Sequence, residues 1–265
     1  MSVKINLLVL FAFIVWPAAF TQKQDPGLTE VFGKYGIDNG CFVLYDQAND
    51  EYLRYNSARC DSGFIPASTF KIPHSLIALE EGLIEDSTQV IKWDGHQWPV
   101  KNWNRDQTLR TAVKYSCVWV FTGFAEKMPV ETYYRYIRAF DYGNKDLTGQ
   151  PSRFWLAGLF RISANQQVAF LRKFYNDELP VSKRSTHMVK DFIILEKQGS
   201  STWSGKTGGG MLDDNRYVMW LVGYVEKDGK PYFYAMNFTT GNFNKYSRMR
   251  YDIVKEVLQK KGLID

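Results

Sequence analysis

Apolar and polar residues alternate near both ends of the chain, and this alternation predicts β-strands there. Residues 41–45 and 51–55 read as two strands joined by a turn. Near the other end, residues 217–225 and 232–238 read as a second pair of strands around the polar loop 226–230. The two strand pairs are far apart in sequence, so a sheet that contains both must join the two ends of the chain.

Between these strands the apolar residues recur at helical spacing. This spacing predicts helices over residues 73–82, 109–126, 130–139, 164–175 and 185–195, and a last helix over 247–260. We therefore expect an α+β fold, with an antiparallel sheet built from both chain ends and a helical insertion. One domain, 21–265, would comprise an α/β part (about 21–66 and 200–265) and a mainly helical part (about 67–199).

The first twenty residues have the pattern of a secretory signal peptide. Lys4 precedes an apolar run from residue 5 to residue 20, which only Asn6 interrupts, and small residues follow Pro17. The run is shorter than the roughly 20 residues of a spanning helix. We therefore predict cleavage near residues 19–22, no stable membrane anchor afterwards, and a location in the periplasm of a Gram-negative bacterium.

Charge and metal-ligand spacing exclude two functional classes. The net charge of +5 is not gathered into a basic block, so no nucleic-acid partner is expected. The three cysteines and three histidines lack the spacing of a zinc site, so no metal is expected. Cys41 and Cys60 flank the first predicted hairpin, and a periplasmic location would permit a disulfide between them. Sequence spacing leaves that pairing open.

The candidate chemistry starts at Ser68-Thr69-Phe70-Lys71. Residues three apart lie on one face of a helix, so the hydroxyl of Ser68 and the amine of Lys71 can touch. Serine needs a neighbouring base to become a nucleophile, and lysine is such a base only if its pKa is lowered. Pro66 and Ala67 precede the serine, which favours a position for Ser68 at the start of a buried helix. An N-cap serine followed by a surface lysine is the alternative.

A second motif, Lys206-Thr207-Gly208, precedes the strand predicted over 217–225. Its lysine and threonine can hold a carboxylate, and its glycines allow a ligand to approach the backbone closely. A segment of this kind on a sheet edge can bind an extended ligand, whereas the alternative is a simple loop. Together and in this order, S-x-x-K and K-T-G resemble the signature of the penicillin-recognising serine enzymes.

Further motifs make the sequence similar to one family, the class D serine β-lactamases or oxacillinases. The segments that resemble that family are Ser116-Cys117-Val118, Tyr142-Gly143-Asn144 and Phe154-Trp155-Leu156. The resemblance runs from about Gly40 to the C-terminus. It implies a fold of the serine β-lactamase and transpeptidase type and the hydrolysis of β-lactam small molecules.

The resemblance also implies the catalytic roles. Ser68 would be the nucleophile and Lys71 the general base. Lys71 would carry a carbamate derived from carbon dioxide, the only cofactor expected. Ser116 would relay a proton to the lactam nitrogen, and the backbone N–H groups of Ser68 and Gly209 would form the oxyanion hole. The residues expected to support the lysine are bulky and largely apolar, namely Phe70, Val118, Trp155 and Leu156.

Substrate binding is implied for a separate set of residues, namely Lys206, Thr207, Gly208, Arg250 and Trp103. Arg250 would pair with the substrate carboxylate, with Arg248 as the alternative. Two other functions remain open at this stage: a non-enzymatic β-lactam sensor domain, and a penicillin-binding DD-peptidase. Substrate range and oligomeric state are not indicated.

Overall fold

The computed structural model describes residues 25–265, which build a six-stranded antiparallel sheet in the order β2-β1-β6-β5-β4-β3. The strands are β1 (Gly40–Asp46), β2 (Glu51–Tyr55), β3 (Ile194–Gln198), β4 (Ser201–Met211), β5 (Tyr217–Lys227) and β6 (Lys230–Thr240). Because β1 pairs with β6 over its whole length, both ends of the described chain share one sheet. The predicted fold class is confirmed.

Nine α-helices lie within residues 25–265. They are α1 (Pro26–Lys34), α2 (Ser57–Asp61), α3 (Lys71–Glu80), α4 (Leu109–Lys114), α5 (Val118–Lys127), α6 (Val130–Phe140), α7 (Ala164–Tyr175), α8 (Lys183–Phe192) and α9 (Phe243–Lys260). Two 3₁₀ turns, Ala67–Phe70 and Lys101–Trp103, complete the regular structure described. We call the first of them the Ser68 turn.

The sheet is covered on both faces, so its central strands are apolar on both sides. In β5, Val218, Trp220 and Val222 pack against the helical part of the molecule. Met219 and Leu221, which alternate with them, pack on the opposite face with residues of α1 and α9. This explains why β5 reads as a nearly continuous apolar run instead of an alternating one. The face toward the helical part is the one that carries the site described below.

Two predictions about secondary structure were wrong. The helix predicted over 109–126 is two helices, because the chain turns at residues 115–117. The helix predicted over 185–195 ends at Phe192, and the chain then enters β3. The glycine-rich K-T-G segment lies inside the eleven-residue strand β4, so its predicted place on the sheet is confirmed and the loop alternative is wrong. In β4 the pairing with β5 outweighs the low strand propensity of glycine.

The three cysteines are buried free thiols, and Cys60 Sγ lies within hydrogen-bond distance of Phe42 O (3.5 Å) and Tyr55 O (3.4 Å). The predicted signal peptide lies outside the described residues. From residue 25 onward, no helix combines the length and the hydropathy needed to cross a bilayer. Over the same residues, no cluster of three or more His, Cys, Asp or Glu side chains is arranged to hold a metal ion.

Candidate active site

Ser68 lies in the Ser68 turn, directly before α3, and not in the α-helix itself. Ala67, the residue before it, has a φ of 48°, in the left-handed region that costs a non-glycine residue of order 1 kcal/mol or more. The turn is held by the carbonyl of Pro66, which accepts hydrogen bonds from the Thr69 amide (3.2 Å) and hydroxyl (2.7 Å). Such local strain is typical of functional sites.

The Tyr142-Gly143-Asn144 motif supports this turn from behind. The buried Tyr142 hydroxyl donates to Gln167 Oε1 (3.3 Å), and Gln167 Nε2 donates to Thr69 Oγ1 (2.9 Å). Sequence reasoning missed Gln167, which lies within the amphipathic pattern of α7 and has no motif of its own. The chain of hydrogen bonds fixes the residue next to Ser68, so these side chains have a structural role.

Lys71 is the first residue of α3 and is completely buried. Its Nζ donates to Ser68 Oγ at 3.2 Å and lies 4.8 Å from the centroid of the Phe121 ring. Burial lowers the pKa of Lys71 to about 7, because the apolar surroundings disfavour the ammonium form. A large fraction of the amine is therefore neutral near neutral pH. A neutral amine against a serine hydroxyl has the protonation state of a general base.

Aromatic rings make up the lysine's surroundings. The Phe70 ring stacks on Trp155, with centroids 6.0 Å apart and planes inclined by 23°. Trp155 is completely buried, and its Nε1 donor has no hydrogen-bond partner among the described residues. Leaving such a donor unpaired typically costs about 1–3 kcal/mol, so the orphaned N–H calls for a functional explanation.

The other two residues predicted to support the lysine are less enclosed. Val118 opens α5 and is half-buried, and half-buried Leu156 lines a cleft together with Ile65 and Met211. Phe121, which sequence reasoning missed, lies three residues after Val118 on α5. Helical spacing from the predicted Val118 would have identified it.

A second serine–lysine pair faces the first. Ser116 occupies the break between α4 and α5 with a φ of 54°. Its amide donates to Val113 O (3.2 Å) and the Cys117 amide donates to Ala112 O (2.8 Å), the pattern of a Schellman cap. Glycine is the usual residue at this position of the cap, so serine there is strained. Lys206 Nζ donates to the Ser116 hydroxyl across the site, and it also donates to Thr207 O at 3.0 Å.

Strand β4 brings its motif directly against the Ser68 turn. A Cβ added to Gly208 would lie 2.9 Å from Pro66 O and 3.0 Å from Thr69 Cγ2, so a side chain there would push the turn away. Gly208 is thus required because the backbone of the Ser68 turn lies close against β4 at this position. Beyond Ser204, β4 has no paired strand on its β3 side in the described chain, which leaves an edge open toward the site.

A Cβ added to Gly209 would meet Phe243 and Arg250, so this position of β4 faces α9, whereas the Thr207 hydroxyl lies 3.4 Å from Lys206 Nζ. Arg250 of α9 reaches this strand, and its Nη1 donates to Gly208 O at 2.6 Å. Arg250 is buried, whereas Arg248 is exposed. Burial lowers the pKa of Arg250 to about 10, so the guanidinium remains charged at neutral pH.

Trp103 joins the site through the loop that carries Ser116. Its Nε1 donates to Tyr115 O at 2.9 Å, and its own carbonyl accepts from Trp119 Nε1 at 3.0 Å. The indole is half-buried and packs edge-on against Trp98, with centroids 5.7 Å apart. Trp103 thus lies beside the second serine, with part of its ring open to solvent.

Two clefts border β4. One, of about 450 Å³, is lined by Lys206, Thr207 and Tyr115, and the other, of about 550 Å³, by Ile65, Leu156 and Met211. Burial lowers the pKa of Lys206 well below its usual value, and the positive charge of Arg250 lowers it further. Arg250 stays charged at neutral pH, and a buried guanidinium in the site favours an anionic ligand.

Comparison with known proteins agrees with this geometry. A family model described as the penicillin binding protein transpeptidase domain matches residues 40–259, which identifies the class as that of the penicillin-recognising serine enzymes. The β-lactamase OXA-48 of Klebsiella pneumoniae is 39% identical, over 94% of this chain and 88% of that protein. The chain belongs to the class D β-lactamases, and it is therefore an enzyme of the β-lactamase type.

Two further relatives refine the comparison. A class D β-lactamase from Nostoc superposes with a TM-score of 0.85 at 35% identity, covering 89% of this chain and 99% of that one. The regulatory protein BlaR1 of Bacillus licheniformis is 34% identical over 92% of this chain, but the match covers only 40% of BlaR1. The fold is thus shared by hydrolases and by a regulatory protein.

Proposed function

We propose that the protein hydrolyses β-lactam antibiotics through an acyl-enzyme on Ser68. The observation that carries this proposal is the contact of the Ser68 hydroxyl with the completely buried Lys71 amine, whose pKa is lowered to about 7. In acylation, Ser68 Oγ bonds to the lactam carbonyl carbon while its proton passes to the base at Lys71. The carbon–nitrogen bond of the ring then breaks.

The second serine–lysine pair supplies the proton that the departing nitrogen needs. Ser116 hydrogen-bonds to Lys206, so a proton given by the Ser116 hydroxyl is replaced from the lysine. The backbone N–H groups of Ser68 and Gly209 stabilise the negative oxygen of the tetrahedral intermediate. Loss of one such donor typically slows catalysis by about 10²–10³. Water then attacks the acyl-enzyme with Lys71 again as base.

Thr207 and Arg250 hold the carboxylate of the substrate. Arg250 is favoured over Arg248 because its buried side chain reaches from α9 to the K-T-G strand, whereas Arg248 is exposed. A guanidinium can pair with a carboxylate through two hydrogen bonds. Gly208 acts through its backbone, and half-buried Trp103 contributes a wall of the groove.

Lys71 is carboxylated in the active enzyme. Its neutral amine adds to carbon dioxide, forming a nitrogen–carbon bond and losing a proton to solvent. The unpartnered Trp155 Nε1 donor, buried in the same aromatic cluster, supports this assignment, because it can bond a new anionic oxygen. When present, the carboxyl group supplies an anionic base. Carbonate-free buffer at low pH should therefore lower activity and added bicarbonate restore it. Indifference to bicarbonate would contradict carboxylation.

The regulatory relative makes a β-lactam sensor the second candidate, since a sensor acylates and then stops. A chromogenic cephalosporin in excess over enzyme separates the two. Hydrolysis of many equivalents is expected from the wild type, and none from Ser68→Ala. A burst of one equivalent followed by no turnover would instead identify a sensor. Turnover of a D-Ala-D-Ala peptide with no release of hydrolysed β-lactam would identify the DD-peptidase.

The proposed site of action is the periplasm, reached through the signal peptide predicted over residues 1–20. The intact mass of the protein purified from a periplasmic extract tests this proposal. We expect an N-terminus near residues 20–23, and a full-length protein in the cytoplasmic fraction would contradict it.

A further inference from the structure

A buried histidine lies one helical turn beyond the catalytic lysine. His74 follows Lys71 by three residues on α3, so both side chains project from the same face of the helix. Both are completely buried. The reaction proposed above does not use His74, and the sequence offers no motif for it.

The His74 ring packs against the rings that surround Lys71. Its centroid lies 4.9 Å from that of Trp155, with the planes inclined by 71°, and 5.1 Å from that of Phe121. Phe121 is the same ring that lies 4.8 Å from Lys71 Nζ. His74 therefore forms one wall of the cage that holds Trp155, whose Nε1 donor is unpartnered.

Tyr133 of α6 anchors the imidazole from the far side. The buried Tyr133 hydroxyl and His74 Nε2 are 2.6 Å apart. Burial raises the pKa of the tyrosine and lowers that of the histidine. Both groups are thus neutral. A hydroxyl that donates to Nε2 leaves the ring proton on Nδ1, which has no partner among the described residues.

An aromatic cage does not require a polar ring. Phenylalanine would fill a similar volume without an unpaired nitrogen, and a buried unpaired polar atom typically costs about 1–3 kcal/mol. The hydrogen bond to Tyr133 fixes the rotation of the histidine ring about its Cβ–Cγ bond. A phenylalanine ring has no such anchor. A fixed His74 ring in turn limits the tilt of the indole packed edge-on against it.

We propose that His74, anchored by Tyr133, is a positioning residue that fixes the orientation of Trp155 and thereby strengthens the hold of the site on the carboxyl group of Lys71. This inference rests on the proposed carboxylation of Lys71. The His74–Tyr133 pair touches neither substrate nor reacting atoms, so its effect is expected on the affinity for carbon dioxide and not on the acylation chemistry itself.

The experiment compares three variants by ¹³C NMR with labelled bicarbonate, which detects the carbamate without substrate. Tyr133→Phe removes the anchor, and His74→Phe combined with Tyr133→Phe replaces both partners by apolar rings of similar shape, an exchange that can be nearly neutral for stability. Tyr136→Phe is the control. It also removes a tyrosine hydroxyl from α6, but this hydroxyl donates to Glu81 at the surface and not to His74.

The double variant should melt close to the wild-type temperature, yet need about tenfold more bicarbonate for half-maximal carbamate signal, the effect of a lost interaction of about 1.4 kcal/mol. Activity at saturating bicarbonate should recover. Tyr136→Phe should match the wild type. A double variant with unchanged bicarbonate affinity would show that His74 serves packing alone. Absence of the signal from the wild type would instead overturn carboxylation of Lys71.

Discussion

The site contains two serine–lysine pairs that are built in different ways. Ser68 and Lys71 are three residues apart, and their contact follows from one turn of the chain. Ser116 and Lys206 are 90 residues apart, and a helix break and a sheet strand bring them together. The first amine has aromatic rings around it, whereas the second also hydrogen-bonds to the Thr207 carbonyl.

This difference explains a division of labour. Aromatic rings offer Lys71 few hydrogen-bond acceptors, so burial favours its neutral form, and a neutral amine accepts a proton or adds to carbon dioxide. Burial lowers the pKa of Lys206 as well, but its amine has three oxygen acceptors, Ser116 Oγ, Thr207 O and Thr207 Oγ1, which favour the proton-donating form. We therefore expect the first pair to act in both chemical steps and the second pair in acylation alone.

The largest predicted effect comes from removing the base of the first pair. Lys71→Met keeps an unbranched apolar side chain, one heavy atom shorter than lysine, and removes the amine. We expect kcat/KM to fall by about 10⁵, the scale seen when one member of a coupled catalytic unit is removed. Steady-state hydrolysis of a penicillin measures it. Loss below tenfold would contradict the role of Lys71 as base.

The second pair should have a smaller effect. Ser116→Ala leaves the nucleophile and its base in place and removes the proton relay, so kcat/KM should fall by about 10²–10³. Single-turnover kinetics should show that acylation slows while deacylation is unchanged. An equal loss in both steps would mean that the two pairs do not divide the reaction.

Loss of the contact with the substrate carboxylate should have a still smaller effect, mainly an increase in KM. Arg250→Ala should raise KM about 10- to 100-fold, because a charge-assisted bidentate contact is lost. The exposed neighbour provides the matched control, and Arg248→Ala should change KM less than twofold. If the two variants exchange these effects, Arg248 is the anchor.

The smallest effect concerns stability. The folded pKa of Lys71 is about 7, below its ordinary value near 10.5. Between these values the unfolded chain binds more protons, so the free energy of unfolding should rise with pH by up to about 1.4 kcal/mol per unit. Urea unfolding in carbonate-free buffer at pH 7 to 10 should show this slope in the wild type relative to Lys71→Met. Equal slopes would contradict a neutral buried amine.

The two pairs also differ in how far the sequence predicted them. The Ser68–Lys71 contact follows from local spacing, and the strands and α7 follow from the spacing of apolar residues along the chain. The break at Ser116 could not be predicted from the chain, since neither glycine nor proline interrupts residues 109–117. A serine in the left-handed region takes the position at which a helix end usually has glycine.

Contacts between distant segments were equally beyond the sequence. Motif resemblance assigned Ser116 and Lys206 to one site, but it gave no reason for their meeting. His74, Tyr133 and Phe121 came from three different helices with no motif, and only tertiary packing gathers them around Lys71 and Trp155. Burial of Arg250 against exposure of Arg248 likewise depends on how α9 lies on the sheet.

Intact-mass spectrometry of the Lys71→Met variant after prolonged incubation with benzylpenicillin tests the central claim, that one lysine serves both chemical steps. The account predicts slow formation of a stable adduct of one substrate on Ser68, which persists after excess substrate is removed. Ser116→Ala should show no such accumulation, because its deacylation is intact. Rapid loss of the adduct from Lys71→Met would contradict the claim.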